Sequence, residues 1–281
     1  MGDGWIPAVG LFGSTIFQEG RGTVESGQLM GPSFPDSNPQ IRPPAEGDDL
    51  LINPEVGIGF EVMAPRLTDG DWVPRFFAMA GVSGAFGPSR DLAKESVIED
   101  LAVDPDIPGP KDMNVTGQGS RTRATLENLV VHASAGGAWP FEAFDRQLRL
   151  RLSIEYMRQE MHVEGAVRRA VCILGNGGTP QLCGATRGGG IGEFREIDLR
   201  SDKNQPLHGI GPGVELEVDA GRLGSIAPSL SIGVQAYRFV GDRDVKFYAQ
   251  NEYGETARFT FEQKPWAVRA GVGVRFRWIP E

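Results

Sequence analysis

The residues best spaced for chemistry are His132 and Ser134, separated by a single alanine. A two-residue step along an extended chain puts both side chains on one face. There an imidazole that took the hydroxyl proton would turn Ser134 into a nucleophile, given an acid such as Glu127 or Glu155 to orient the ring. Parity groups the pair with Asn128 on the polar face of its segment, toward the end near Pro140. Polar wall residues are the preferred reading, and no enzymatic activity is expected.

Other reactive types are scattered. His162 lies between Glu160 and Glu164, and His208 precedes another apolar segment, so either could ligate a metal. A lone imidazole among carboxylates reads first as a solvated surface group, and no metal or cofactor is expected. Glu99, Asp100, Asp104, Asp106 and Asp112 lack the order of an EF-hand loop and read as a soluble acidic stretch. Cys172 and Cys183 bracket the glycine-rich run ILGNGGTPQL, which suits a disulfide in an oxidising compartment, or else two free thiols. No histidine or further cysteine is near enough to complete a zinc site.

The segments that must position these groups read as strands. In LRLRLSIEY, Leu148, Leu150, Leu152, Ile154 and Tyr156 alternate with Arg149, Arg151, Ser153 and Glu155, one greasy face against one charged face. Near the C-terminus Trp266, Val268, Ala270, Val272, Val274, Phe276 and Trp278 share a face opposite Arg269, Gly271, Gly273, Arg275 and Arg277, with aromatics at both ends. Val56, Ile58, Phe60 and Val62 oppose Gly57, Gly59 and Glu61, and Val214, Leu216 and Val218 oppose Glu215, Glu217 and Asp219. Leu230 to Ala236 alternates likewise, and Ile6 to Val24, Arg75 to Phe86 and Arg121 to Trp139 are less regular, giving about eight strands. Beyond Tyr156 the apolar parity changes sides, because Met157, Met161 and Val163 share a face opposite Arg158, Glu160, His162 and Glu164. That change predicts a bulge or an emergence from lipid into water.

Composition agrees with many short strands, since 39 Gly and 20 Pro punctuate a chain that is 40% hydrophobic. No apolar run is long enough for a membrane-spanning helix, and the mean hydropathy of -0.24 is what a barrel with alternating strands would have. The net charge of -9 argues against a nucleic-acid partner. Connections alternate in length: 26–49 long, 68–73 short, 91–119 long, 140–146 short, 166–193 long and 220–227 short, then a tight 251–255. Short turns at one rim and long loops at the other are the habit of outer-membrane barrels.

The run Gly273-Val-Arg-Phe276-Arg-Trp278 resembles the β-signal of outer-membrane proteins, with Ile279-Pro-Glu281 following where the pattern usually ends on its aromatic. The resemblance makes Gly273, Phe276 and Trp278 the positions read by the barrel-assembly machinery. The whole layout resembles the small outer-membrane barrels of the OmpA, OmpX and OmpW type. It implies one all-β domain over residues 1–281, an antiparallel up-and-down transmembrane barrel with extracellular loops near 26–49, 91–119, 166–193 and 251–255 and both termini periplasmic. The start, Met1-Gly-Asp-Gly-Trp5, lacks the pattern of a secretory signal and is taken as that of a mature chain, or of one carrying an added Met.

With the apolar faces toward lipid, Glu61, Arg149, Arg151, Glu155, Glu215, Glu217, Arg269, Arg275 and Arg277 converge on the interior. Both signs are present, so the expectation is a salt-bridged plug, with a proton or ion path as the alternative. Lipid-A deacylase barrels carry a His and a Ser at the spacing of His132 and Ser134, but Ala135 stands where that pattern has Asn. The expected role is structural or an interaction at the cell surface, in contact with outer-membrane lipid and lipopolysaccharide and with an envelope protein through the loops. A narrow channel for small or apolar solutes is the alternative.

Overall fold

The computed structural model describes residues 4–26, 45–68, 73–94, 113–174, 192–251 and 256–279. Ten strands lie among them: β1 (Ile6–Ser26), β2 (Ala45–Met63), β3 (Arg75–Ala85), β4 (Arg90–Lys94), β5 (Met113–Ala143), β6 (Arg146–Leu174), β7 (Gly192–Asp219), β8 (Ile226–Val240), β9 (Asp244–Gln250) and β10 (Thr256–Trp278). Every ladder is antiparallel, in the order β1-β2-β3-β5-β6-β7-β8-β10, and β10 returns to pair with β1. Eight strands therefore close into a ring. Closure removes the unpaired edges that an open sheet would expose. The remaining two strands are continuations: β4 pairs with β5 beyond the end of β3, and β9 pairs with β10 beyond the end of β8. Pro88 and Gly87 interrupt the first, and Gly241, at φ 82°, interrupts the second.

The strands run further than their alternation suggests. β2 begins at Ala45, β5 at Met113 and β6 ends at Leu174, so the expected loops 26–49, 91–119 and 166–193 are shortened from one or both ends. The 140–146 turn contracts to Phe144 and Asp145, both at positive φ (51° and 55°), the geometry of a type I′ hairpin. Both described chain ends, Gly4 and Ile279, lie at the rim that carries this turn and the 220–225 connection. The expected Cys172–Cys183 pair and the acidic 99–112 stretch fall outside the described residues, since Cys183 and residues 95–112 are not among them.

Along β6 the side-chain alternation never slips. Odd residues from Arg149 to Val167 face inward, and the ladder to β7 is continuous from Leu148 opposite Val218 to Leu174 opposite Gly192. No bulge occurs at Tyr156 and Met157. Instead the chemistry of the two faces exchanges there. Below this level Leu150, Leu152, Ile154 and Tyr156 are exposed on the outside while Arg151 and Glu155 are buried inside. Above it Met157, Met161 and Val163 are fully buried inside, and Arg158 and Glu164 are exposed outside. The irregularity lies across the ladder on β5: Leu126 pairs with Met161 and Val130 with Gln159, so β5 takes four steps where β6 takes two.

The exchange is repeated around the ring. On β1 the outward series passes from Leu11 and Phe17 to Glu19 and Arg21, and on β10 from Val272 and Trp266 to Lys264 and Glu262. The upper interior is an apolar core with Leu51, Leu92, Leu126, Leu199, Leu207, Phe239 and Val245, and with Phe247 and Phe259 stacked at 5.2 Å. Gly165 is part of that packing, because a Cβ there would stand 2.2 Å from the Phe259 ring. From Trp266 to Trp278 the lower outer belt runs twelve steps, about 40 Å along the strand and roughly 30 Å along a barrel axis tilted about 40° from it.

Candidate functional site

The lower lumen brings together the charges that alternation assigns to the inner face. Arg151 of β6 donates to Glu61 of β2 at 2.5 and 3.2 Å, from a wall three strand steps away. Glu217 of β7 collects four guanidiniums: Arg149 at 2.6 Å, Arg151 and Arg275 at 3.1 Å each, and Arg277 through both of its terminal nitrogens. Arg275 forms a fork on Glu215 at 2.5 and 2.7 Å, and Arg149 forms another on Asp219. Arg151 also stands 3.9 Å over the Phe77 ring, and Phe77, Met63 and Ala138 close the floor beneath it. Pairing and hydrogen bonding of this kind offset the cost of withdrawing the charges from water.

A second cluster sits higher. Glu55 accepts from Ser14 at 2.5 Å, from Ser83 at 2.6 Å and from Arg269, whose guanidinium also lies 4.8 Å over Phe12. Sequence reasoning passed over Glu55, Ser14 and Ser83, although Glu55 continues the inward face of Glu61 and the parity alone would have found it. Above this cluster Gln159 of β6 donates to Gln18 of β1 at 2.7 Å. Those two strands are diametrically opposed in the ring, so one hydrogen bond spans the bore.

Five arginines, Arg149, Arg151, Arg269, Arg275 and Arg277, thus meet five acids, Glu55, Glu61, Glu215, Glu217 and Asp219. Glu155 stands outside this balance. It is buried, makes no ion pair among the described residues, and accepts from Ser153 at 2.5 Å beside a cavity of about 60 Å³, room for a few water molecules.

His132 lies in a row with Gly81 and Met157, at the level where the faces exchange, rather than toward the rim near Pro140. Its Nε2 meets Ser83 Oγ at 2.9 Å and Glu55 Oε2 at 3.3 Å, while Nδ1 is buried without a partner. A proton relay needs the acid on one ring nitrogen and the hydroxyl on the other. Here both partners crowd the same nitrogen, and neither is Ser134. The Phe12 ring packs edge-on against the imidazole at 5.7 Å.

On the outside, Phe276 and Trp278 of β10 are exposed at the end of the apolar belt. Gly273 faces inward, where a Cβ would come 3.0 Å from Ser231 Oγ. His162 Nδ1 lies 2.6 Å from Asn204 Oδ1, and its Nε2 lies 3.4 Å from Glu164. His208 Nδ1 takes the Tyr156 hydroxyl at 2.9 Å, with the two rings stacked. Among the described residues no cluster of His, Cys, Asp and Glu has metal-binding geometry, and no helix is long and apolar enough to cross a membrane.

Among solved structures the chain is similar to that of a Pseudomonas aeruginosa FadL homologue, at 9% identity over 98% of this chain and 90% of the other, with a TM-score of 0.22. It is also similar to that of the P. putida toluene transporter TodX, at 10% identity over 100% of this chain and 92% of the other, with a TM-score of 0.18. No protein-family description and no curated protein matches the chain. Its class is therefore set by its own ring of strands: a closed, antiparallel, eight-stranded up-and-down β-barrel with a filled bore.

Proposed function

We propose that this chain is an outer-membrane barrel that anchors a water-facing upper half and its connections at the cell surface, with a bore that does not conduct. The observation that carries the reading is the exchange at Tyr156 and Met157. An apolar exterior about 30 Å tall around a paired-charge interior suits hydrocarbon, and a polar exterior around an apolar core suits water. The upper half is thus a soluble barrel continuous with a membrane barrel. The arrangement is that of a small barrel of the OmpA, OmpX and OmpW type, with the short-turn rim and both termini in the periplasm.

Closure of the bore rests on three stacked layers: the Phe77 floor with the Arg151–Glu61 span, the Gln18–Gln159 span, and the aromatic core around Phe247, Phe259 and Phe261. An ion would have to break each in turn. On this reading outer-membrane lipid and lipopolysaccharide surround the belt, the assembly machinery reads Gly273, Phe276 and Trp278, and the upper connections contact another envelope component. No catalytic residue is assigned.

Planar-bilayer recording tests the bore. The expected result is a silent membrane at protein levels for which insertion is verified. Stable single-channel steps would overturn the closed-bore reading in favour of a narrow channel for small solutes.

A further inference from the structure

The irregularity on β5 lies beneath a crevice in the outer wall. Between the Leu126–Met161 and Val130–Gln159 pairs the ladder to β6 is interrupted, and a crevice of about 600 Å³ lies over the gap. Its β5 margin is apolar, with Leu129 59% exposed beside Val131. Its β6 margin is charged, with Arg158, Glu160, His162 and Glu164 on the outward face. Gln159 lies behind it, its side chain turned into the bore toward Gln18.

The charges in this crevice are arranged as a pair rather than as a patch. Arg158 and Glu160 make no ion pair among the described residues, with each other or with anything else. Being two residues apart on a strand, they are separated by about 6.6 Å. A purely anionic head would gain Arg158 but meet Glu160 and Glu164. A purely cationic head would meet Arg158. A head carrying a phosphate next to a primary ammonium satisfies both, and its N–H groups supply the donors that Glu160 lacks. The apolar margin then takes the tail, since Leu129 and Val131 carry the outward apolar series of β5 up beside Arg158.

We propose that the β5–β6 crevice is a specific binding site for a zwitterionic aminophospholipid, with its phosphate on Arg158, its ammonium on Glu160 and its acyl chain over Leu129 and Val131. The assignment rests on the membrane reading above for its level in the wall. Binding itself is measured in micelles and does not depend on which membrane the barrel enters.

Native mass spectrometry of the full chain released from an uncharged detergent tests it, with lysophosphatidylethanolamine, lysophosphatidylcholine and lysophosphatidylglycerol as probes. One lysophosphatidylethanolamine is expected to stay bound per chain, held at least ten-fold more tightly than either of the other two. R158Q and E160Q should each weaken it at least ten-fold, and L129W should remove it by filling the crevice. All three changes lie on the outer wall, and the heat-dependent gel mobility of each variant verifies closure of its barrel. Equal retention of the three probes, or unchanged retention in R158Q and E160Q, means an annular lipid only and overturns the site. If the protein instead proved monodisperse without detergent, the membrane reading would fail while this comparison still decided the crevice.

Discussion

Arg151 and Glu61 stand on walls three strand steps apart and meet in a two-pronged ion pair at 2.5 and 3.2 Å, both side chains 2% exposed. A contact of that reach fixes the bore more firmly than any ladder between neighbours. It also ties the lumen into one assembly, because Arg149, Arg151, Arg275 and Arg277 are each shared by two or more acids on other strands.

Glu217 is the hub of that assembly, so neutralising it strands several buried guanidiniums. Glu217→Gln is expected to cost about 3–5 kcal/mol of unfolding free energy, measured by urea titration of barrel refolded into lipid vesicles. Glu215→Gln should cost less, since the Glu215 side chain retains 18% exposure against 0% for Glu217. Equal losses would mean that the four-fold convergence on Glu217 has no energetic weight.

The belt predicts a contrast between two sites on the outer face of one strand. Leu152, mid-belt on β6, should lose about 2–4 kcal/mol on replacement by arginine if hydrocarbon surrounds it. Glu160→Arg, above the exchange level, should change stability by less than about 0.5 kcal/mol. Measurement in vesicles decides it. A harmless Leu152→Arg would mean that water, or another protein, covers the belt.

His162 carries the pH dependence of the upper wall. The hydrogen bond to Asn204, with Glu164 close by, raises the imidazole above its ordinary value against a small loss from burial. A raised histidine contributes stability that is complete below the unfolded-state value, near 6.5, and is lost as pH rises through the folded-state value. The slope is small at so exposed a site. An NMR titration of the ring should give a midpoint above 6.5 that falls toward it in Asn204→Ala. An unmoved midpoint would remove Asn204 from the account.

The Phe144–Asp145 turn holds two non-glycine residues at positive φ, and Phe144 is 93% exposed with no packing to offset the strain. Replacing the pair by Asn-Gly, the residues this turn geometry favours, should raise stability by about 1 kcal/mol. A decrease would show that the turn region depends on Phe144 for something other than conformation.

Alternation alone carried much of this protein. A period of two needs no partner to be visible, so Leu148 to Tyr156 and Trp266 to Trp278 declare both their faces, and Arg149, Arg151, Arg275 and Arg277 declare the side they point to. Glu55 was legible on the same ground. The exchange at Met157 was legible too, but only as a change of parity, and a bulge on β6 would have produced the same string of letters.

What the tertiary structure decided is whatever depends on which strands oppose one another across the bore. No local pattern states that Gln159 faces Gln18, that His132 meets Ser83 rather than Ser134, or that Glu155 is the acid left over. These follow from register and closure, which are set by the ring as a whole. The two extra residues of β5 belong here as well, since a bulge exists only relative to the strand beside it. The order of the letters fixes each strand's two faces because side chains alternate along any extended chain; closing the ring fixes who meets whom, because that distance is set by all eight strands together.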